Sequence, residues 1–223
     1  MKNLIQHLSQ FLSTPRLETF HKVLAQRTRY ITVVLEDIYQ SQNASAVLRT
    51  CDCVGIQDVH IIENKNRFKL NPEVVLGSAK WLNLRKYNGE DNNTDSTIQQ
   101  LRSQGYRIIA TSPHLNDVEL DELDLNKGKL ALFFGNELKG LTNNALDQAD
   151  EYLKIPNAGF TESFNISVSA AIILYQLTRK LRSSEIKWEL EDTERDNLLL
   201  DWLRISIKKP ELIEATFNRR MEN

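Results

Sequence analysis

The run IPNAGFTESFNISVSAAIILYQL, residues 155–177, carries the clearest indication of the fold. It joins the end of a short apolar strand, which breaks at Pro156, to a long apolar helix that we expect to start near Asn165. A polar, glycine-containing loop lies between the two. Parallel α/β sheets bind ligands at such strand-to-helix crossings, because the carboxyl ends of the strands meet there. The run therefore predicts an α/β protein with a ligand site at this loop.

Strands and helices alternate through the middle of the chain. Six apolar runs predict strands: residues 31–36, 58–63, 81–87, 106–112, 130–135 and 151–156. These runs are apolar throughout instead of alternating, which indicates a mostly parallel sheet with helices on both faces. Residues 1–28 and 185–223 are expected to form helical extensions on either side of a central domain, residues 29–184.

Composition limits the class of protein. The 223 residues are 41% hydrophobic and 26% charged, which suits one ordinary domain with terminal extensions. No apolar run approaches the roughly 20 residues of a membrane helix, and the N-terminus lacks the features of a signal peptide. We therefore expect a cytoplasmic protein without a membrane segment.

Basic side chains are concentrated locally although the net charge is −2. A non-specific nucleic-acid coat would be strongly basic overall, but phosphate binding needs only a basic patch. Three segments provide such groups: Arg16, Lys22, Arg27 and Arg29; Lys65, Arg67 and Lys69; Arg179, Lys180 and Arg182. They predict either contacts to RNA or ordinary solvated helix faces.

Cys51 and Cys53 form an isolated C-x-C pair. No second pair of cysteine or histidine residues completes a zinc site, so we predict no metal. Positions two apart on a helix point in different directions, which disfavours a disulfide. Two buried or half-buried thiols in a reducing compartment are expected.

Two further blocks carry polar residues at the ends of predicted strands or helices. In NASAVLRTCDCVG, residues 43–55, Asn43 or Ser41 is expected to cap a helix that Gly55 ends. Arg49 lies in the middle of that helix, and its fork of donors suits a phosphate or a carboxylate. A surface arginine paired with an acid is the alternative.

In FFGNELKGLT, residues 133–142, Gly135 ends a very apolar strand and Thr142 is expected to cap the next helix. The spacing from Gly135 to Gly140 mimics a phosphate loop, but the lysine that would reach the phosphates is missing. A nucleotide-hydrolysing enzyme is therefore disfavoured. Glu137 follows the strand and could bind a polar or cationic group.

The order and separation of these three blocks resemble the three signature motifs of the SpoU/TrmH family of RNA ribose 2'-O-methyltransferases. The resemblance covers about residues 30–182 and is greatest to the subgroup that acts on tRNA guanosine 18, in which Gly77 to Trp81 also has a counterpart. It implies S-adenosyl-L-methionine as the methyl donor, tRNA as the substrate, a homodimer with the last long helix at its interface, and a C-terminal trefoil knot. The alternatives are another position in tRNA or ribosomal RNA, or a non-catalytic RNA-binding homologue.

The resemblance also assigns roles to individual residues. The residues to which it assigns a catalytic role are Asn43, Arg49, Glu137, Ser163 and Asn165. It places in methyl-donor binding Thr111, Gly135, Asn136, Ile155 and Phe164. The candidates for contacts to tRNA phosphates are Arg16, Arg27, Arg29, Arg179, Lys180 and Arg182. Phe164 replaces the usual leucine and Asn157 the usual methionine of the family pattern.

Overall fold

The computed structural model describes residues 1–112 and 118–221 and divides into two compact units, 28–188 and a unit made of 1–27 with 189–223. The α-helices are α1 (Lys2–Ser9), α2 (Thr14–Leu24), α3 (Ser41–Val54), α4 (Pro72–Val75), α5 (Asn93–Ser103), α6 (Asn143–Asp147), α7 (Ile166–Arg182), α8 (Asp192–Ser206) and α9 (Pro210–Met221). The strands are β1 (Ile31–Glu36), β2 (Asp58–Ile62), β3 (Asn83–Tyr87), β4 (Arg107–Thr111), β5 (Val118–Glu119), β6 (Leu130–Phe134) and β7 (Glu151–Lys154).

The larger unit is built on one parallel sheet. Within the described residues it has seven strands in the order β3-β2-β1-β6-β4-β7-β5, and every pairing is parallel. The predicted α/β class and parallel sheet are confirmed. All six predicted strands are present, whereas the two-residue β5 is too short to give a pattern.

Helices cover both faces of this sheet, as the apolar strands predicted. On one face α3 and α7 pack in the larger core, to which they contribute Val47, Leu48, Ile173 and Leu174. On the other face α5 and α6 contribute Ile98, Leu101 and Ala145 to a second core. The adjacent strands β1 and β6, in the middle of the sheet, are buried along their whole length.

The smaller unit consists of α1, α2, α8 and α9. Helix α1 contacts both α8 and α9, and α2 contacts α8. The Phe20 ring packs edge-on against Trp202, with 5.6 Å between the ring centroids. The N-terminal and C-terminal extensions therefore share one core.

The predicted helix ends agree with the structure at Gly55, Thr142 and Asn165. Gly55 ends α3 with a φ of +83°, Thr142 accepts from the Ala145 N–H, and Asn165 accepts from the Ser167 N–H.

The prediction that Asn43 or Ser41 caps α3 was wrong. The helix begins at Ser41, which puts both residues inside its first turn, and neither side chain caps it. The expectation for the thiols was wrong for one of the pair, since Cys51 is buried but Cys53 is exposed. Neighbouring positions on a surface helix face opposite environments, which accounts for the difference.

Candidate active site

A cavity of about 580 Å³ opens at the carboxyl ends of β4, β6 and β7. Parallel strands bring these ends to one edge, and the loops that follow them supply the lining. Glu137, Ser163 and Asn165 contribute to that lining. So do all five residues that the resemblance assigned to the methyl donor: Thr111, Gly135, Asn136, Ile155 and Phe164.

The loop after β6 doubles back tightly. Asn136 and Gly140 exchange backbone hydrogen bonds, with distances of 2.9 and 2.8 Å between nitrogen and oxygen. A Cβ atom on Gly135 would lie 2.2 Å from the backbone of Gly140 and Leu141, so only glycine fits there. The Asn136 side chain secures the turn by accepting from the Leu138 N–H at 2.9 Å. This turn forms one wall of the cavity.

A hydrogen-bonded chain joins the three sequence blocks. The Glu137 carboxylate accepts from the backbone N–H groups of Tyr39 and Gln40 at 3.0 and 3.1 Å, just before α3. It also accepts from Asn43 Nδ2 at 2.9 Å, and Asn43 Oδ1 accepts in turn from Asn165 Nδ2 at 3.1 Å. Glu137 thus holds the segment that leads into α3 and the Asn43 side chain in its first turn.

The Glu137 carboxyl group is held in its ionised form. Burial raises its pKa, but the hydrogen bonds from Asn43 and from backbone N–H groups, including those of Tyr39 and Gln40, outweigh burial and leave the pKa below the ordinary value. An ionised carboxylate accepts hydrogen bonds and donates none. It therefore dictates that Asn43 points its NH₂ group towards Glu137 and its oxygen towards Asn165.

Arg49 lies away from this chain of contacts. Its exposed side chain borders a separate groove between α3 and α7, lined also by Ala46, Val74, Ile172 and Tyr175. Among the described residues, nothing forms a hydrogen bond or an ion pair with its guanidinium. The structure thus joins three of the five predicted catalytic side chains by hydrogen bonds and places Ser163 in the lining of the same cavity, whereas Arg49 lies on another surface.

Two acidic residues at the end of β1 support the cavity and were not predicted. Glu36 is buried, and its carboxylate accepts from the Thr142 N–H at 2.8 Å and from the hydroxyls of Thr142 and Thr94 at 2.9 and 2.6 Å. Asp37 has a φ of +52°, and its carbonyl accepts from Asn136 Nδ2 at 2.8 Å. Two acids at the end of an otherwise apolar strand were the available sequence signal.

The six candidate RNA contacts differ in their surroundings. Arg16 and Arg179 are exposed, whereas Arg29 forms an ion pair of 2.9 Å with Asp58. The prediction that Arg27 lies on the surface and contacts RNA was wrong. Its side chain is buried, and its guanidinium lies 5.4 Å from the centre of the Trp202 ring. Arginine stacked in this way contributes to packing.

Lys180 and Arg182 donate to backbone carbonyls of their own chain. Lys180 Nζ lies 2.9 and 2.8 Å from the carbonyl oxygens of Asp121 and Leu123, and Arg182 Nη2 lies 2.7 Å from that of Val54. These bonds compete with any contact to phosphate. Arg16 and Arg179 are the members of the predicted set that remain best placed for RNA.

Residues 1–112 and 118–221 contain neither a membrane-spanning helix nor a cluster of metal-binding side chains. No helix there is long and apolar enough to cross a membrane. No group of three or more histidine, cysteine, aspartate or glutamate side chains there is arranged to hold a metal ion.

Known proteins share both the sequence and the fold. Residues 30–175 match the SpoU rRNA Methylase family. The tRNA (guanosine(18)-2'-O)-methyltransferase of Borreliella burgdorferi is 47% identical over 95% of this chain and 94% of its own length. The enzyme of the same name from Thermus thermophilus is 33% identical over 85% of this chain and 96% of its own.

Solved structures give the same result. The A. aeolicus TrmH/SpoU tRNA modifying enzyme superposes with a TM-score of 0.76 at 29% identity, covering 87% of this chain and 98% of that chain. The SpoU methyltransferase AviRb from Streptomyces viridochromogenes, in complex with AdoMet, shares the fold with a TM-score of 0.60 at 21% identity, over 74% of this chain and 62% of its own. The family match covers the sheet, the lining of the cavity and the predicted catalytic residues of all three sequence blocks, and the chain belongs to the SpoU methylase family.

Proposed function

We propose that this chain transfers a methyl group from S-adenosyl-L-methionine to the ribose 2'-hydroxyl of guanosine 18 in tRNA. The observation that carries the proposal is the joining of three separate sequence blocks at one cavity by the Glu137–Asn43–Asn165 hydrogen bonds. The choice of tRNA and of position 18 is supported by the relative from Borreliella burgdorferi, whose similarity extends over the terminal helices as well as the sheet.

The cavity suits the proposed methyl donor. Its volume of about 580 Å³ lies within the usual range for small-molecule sites, roughly 300–1,000 Å³. Apolar side chains for a flat base, such as Ile155 and Phe164, lie beside polar groups such as Thr111 and Asn136. We assign donor binding to these four residues and Gly135. The donor, when bound, supplies an electrophilic methyl group on a sulfonium.

Ser163 and Asn165 are the side chains best placed to orient the ribose. Both line the cavity beside the start of α7. Asn165 is immobilised, because its NH₂ group donates to Asn43 and its oxygen accepts from the backbone N–H and the hydroxyl of Ser167. Alignment of a bound hydroxyl with its reaction partner can contribute several kcal/mol to lowering the barrier.

The 2'-hydroxyl must also lose its proton. Glu137 is a poor acceptor for it, because hydrogen bonds hold its pKa below the ordinary value despite its burial. We assign Arg49 to binding the phosphate beside the target ribose and to stabilising the developing alkoxide. An arginine stays protonated in proteins, so its charge and its fork of donors are what it offers.

We further propose a homodimer that buries the groove between α3 and α7. The groove has a volume of about 590 Å³ and a largely apolar lining, and Tyr175 on its α7 side is 57% exposed. Exposed apolar surface of this kind is characteristic of protein interfaces. Arg49 borders the groove, so it would lie at the subunit interface of such a dimer.

A trefoil knot in the C-terminal half of the sheet is also proposed. Strand β7 pairs with β4 and with β5, although both precede it in the chain. Insertion of a late strand between two earlier ones is compatible with threading of the following segment through a loop. Because tRNA is the proposed substrate, we propose a cytoplasmic location.

Methyl incorporation tests the function directly. Labelled S-adenosyl-L-methionine would be incubated with unmodified tRNA and, separately, with ribosomal RNA, and the 2'-O-methylated position would be mapped. We expect label at guanosine 18 and none in a matched transcript with 2'-deoxyguanosine at that position. Label at another nucleotide would assign a different target, and donor binding without any label would favour a binding role.

A further inference from the structure

We propose that residues 64–69, NKNRFK, form a binding site for the sugar–phosphate backbone of the tRNA, an inference that rests on the proposed function. This segment, the basic loop, follows β2 and carries three cations within six residues. Lys65, Arg67 and Lys69 are exposed, whereas Asn64 and Asn66 are half-buried and Phe68 is buried. The cations thus alternate with residues that attach the loop to the protein.

Asp37 provides the main attachment. Its Oδ1 atom accepts from the backbone N–H groups of Asn64, Lys65 and Asn66 at 2.8, 2.8 and 3.2 Å. Its carbonyl accepts from Asn66 Nδ2 and also from Asn136 Nδ2, both at 2.8 Å. One buried residue therefore ties the basic loop to the turn that forms a wall of the donor cavity.

Further bonds fix both ends of the loop. Asn64 Nδ2 donates to Thr94 Oγ1 at 2.9 Å, and the Phe68 N–H donates to Glu63 Oε1 at 2.7 Å. Just beyond the loop, the Asn71 N–H donates to the buried Ser45 hydroxyl at 2.8 Å. A loop ordered in advance loses little conformational entropy when a ligand binds.

The charges of the loop are only partly neutralised. Two acids, Asp37 and Glu63, accept hydrogen bonds from the loop. Burial raises the pKa of Glu63, but hydrogen bonds from Asn88 and Phe68, with the charges of Lys86 and Arg67, leave that pKa below the ordinary value. Neither Lys65 nor Lys69 has an ion-pair partner among the described residues. Their charges are available to a polyanion.

The position of the loop points to the substrate of the adjacent cavity. Strand β2 is parallel to the strands that end at the cavity, so the basic loop emerges at the same edge of the sheet. Two strand spacings, roughly 10 Å, separate β2 from β6. Glu90 and Asp91 follow β3 and limit the basic surface on its outer side. Phosphate contacts at this edge would orient an RNA without reading its bases.

A charge-matched pair of variants tests the inference. The double variant K65Q/K69Q removes two charges from the basic loop. The control K127Q/K129Q removes two exposed charges just before β6, at the opposite edge of the sheet. The dissociation constant for unmodified tRNA would be measured between about 50 and 200 mM KCl, the range over which phosphate contacts change affinity strongly. Donor affinity would be measured alongside as a check on the cavity.

Each phosphate contact contributes roughly 0.7–0.9 to the slope of log affinity against log salt. We expect K65Q/K69Q to reduce that slope by roughly 1.4–1.8 and to weaken tRNA binding roughly 25- to 60-fold near 0.1 M salt. Donor affinity and the slope of the control should equal those of the wild type.

Three outcomes would overturn the inference. An unchanged slope in K65Q/K69Q, with a wild type that methylates tRNA, would refute the basic loop as a phosphate site and leave the proposed function intact. An equal loss in the control would show a general effect of charge. A wild type that binds donor but no tRNA would refute the inference and the proposed function together.

Discussion

Asn43 Nδ2 donates to Glu137 Oε1 at 2.9 Å, across 94 positions of sequence. The bond sets the orientation of the Asn43 amide, whose oxygen then accepts from Asn165 Nδ2 at 3.1 Å. Because one partner is ionised, the first bond belongs to the stronger class, worth about 1.5–3 kcal/mol. A single carboxylate therefore determines how Asn165, the residue that caps α7, faces the cavity.

Replacing Glu137 with glutamine should lower kcat/KM for tRNA about 10- to 100-fold. The loss corresponds to one charge-assisted hydrogen bond, since each 1.4 kcal/mol is a factor of about ten. Steady-state methylation assays would measure it, with the exposed Glu185→Gln variant as the control for a loss of charge. Full activity in Glu137→Gln would mean that the amide orientation of Asn43 does not matter for the reaction.

Replacing Arg49 with lysine should reduce turnover about 100- to 1,000-fold, the range found when one group that stabilises developing charge is removed. Lysine retains the positive charge but loses the fork of donors that matches a phosphate. Donor affinity, measured by calorimetry, should stay at the wild-type value because Arg49 does not line the donor cavity. A turnover rate close to that of the wild type in this variant would exclude a role that depends on the fork of guanidinium donors.

Replacing Gly135 with alanine should destabilise the protein by about 1–3 kcal/mol, the usual cost of overpacking, and weaken donor binding. The new Cβ would lie 2.2 Å from the backbone of Gly140, and the turn would have to open. Gly89→Ala is the matched control, because nothing lies within 4 Å of a Cβ at that position. Unfolding in urea and donor titration would measure both effects. Equal stability in the two variants would contradict this account of the turn.

His60 should make the protein less stable in mild acid. Burial is the main cause that lowers its pKa to about 4, while Asp58 opposes the shift and Arg85 adds to it. The ring is paired with the Tyr87 hydroxyl at 2.8 Å. The unfolded chain, with a histidine pKa near about 6.5, binds more protons between those two values. Stability is therefore greatest above a pH of about 6.5 and falls as the pH drops towards about 4.

The expected loss from His60 is about 2 kcal/mol between about pH 7 and pH 5. Urea unfolding at the two pH values would measure it. His60→Gln carries no titrating ring, so its stability should fall less over this range than that of the wild type. An identical fall in both proteins would assign the pH dependence to carboxyl groups.

Local sequence was sufficient for the elements of the fold, whereas the residues of the cavity lining were assigned from the resemblance to a family. Apolar runs without alternation predicted a parallel sheet covered on both faces, and the structure confirms it. Polar residues after β4, β6 and β7 had to meet, because the carboxyl ends of parallel strands share one edge. Thr111, Gly135 and Ile155 line a common cavity for that reason.

Side-chain partners depended on the tertiary structure, because they link residues that are distant in sequence. Asn43 matches a helix cap by residue type, but its NH₂ group donates to a carboxylate 94 residues away and its oxygen faces Asn165. Arg27 matches a phosphate ligand, yet packing against Trp202 buries it. Sequence determined which residues are polar, charged or apolar and where the strands end. Only the folded chain decided which of those residues face the cavity, the solvent or each other, because contact geometry follows from packing and not from local propensity.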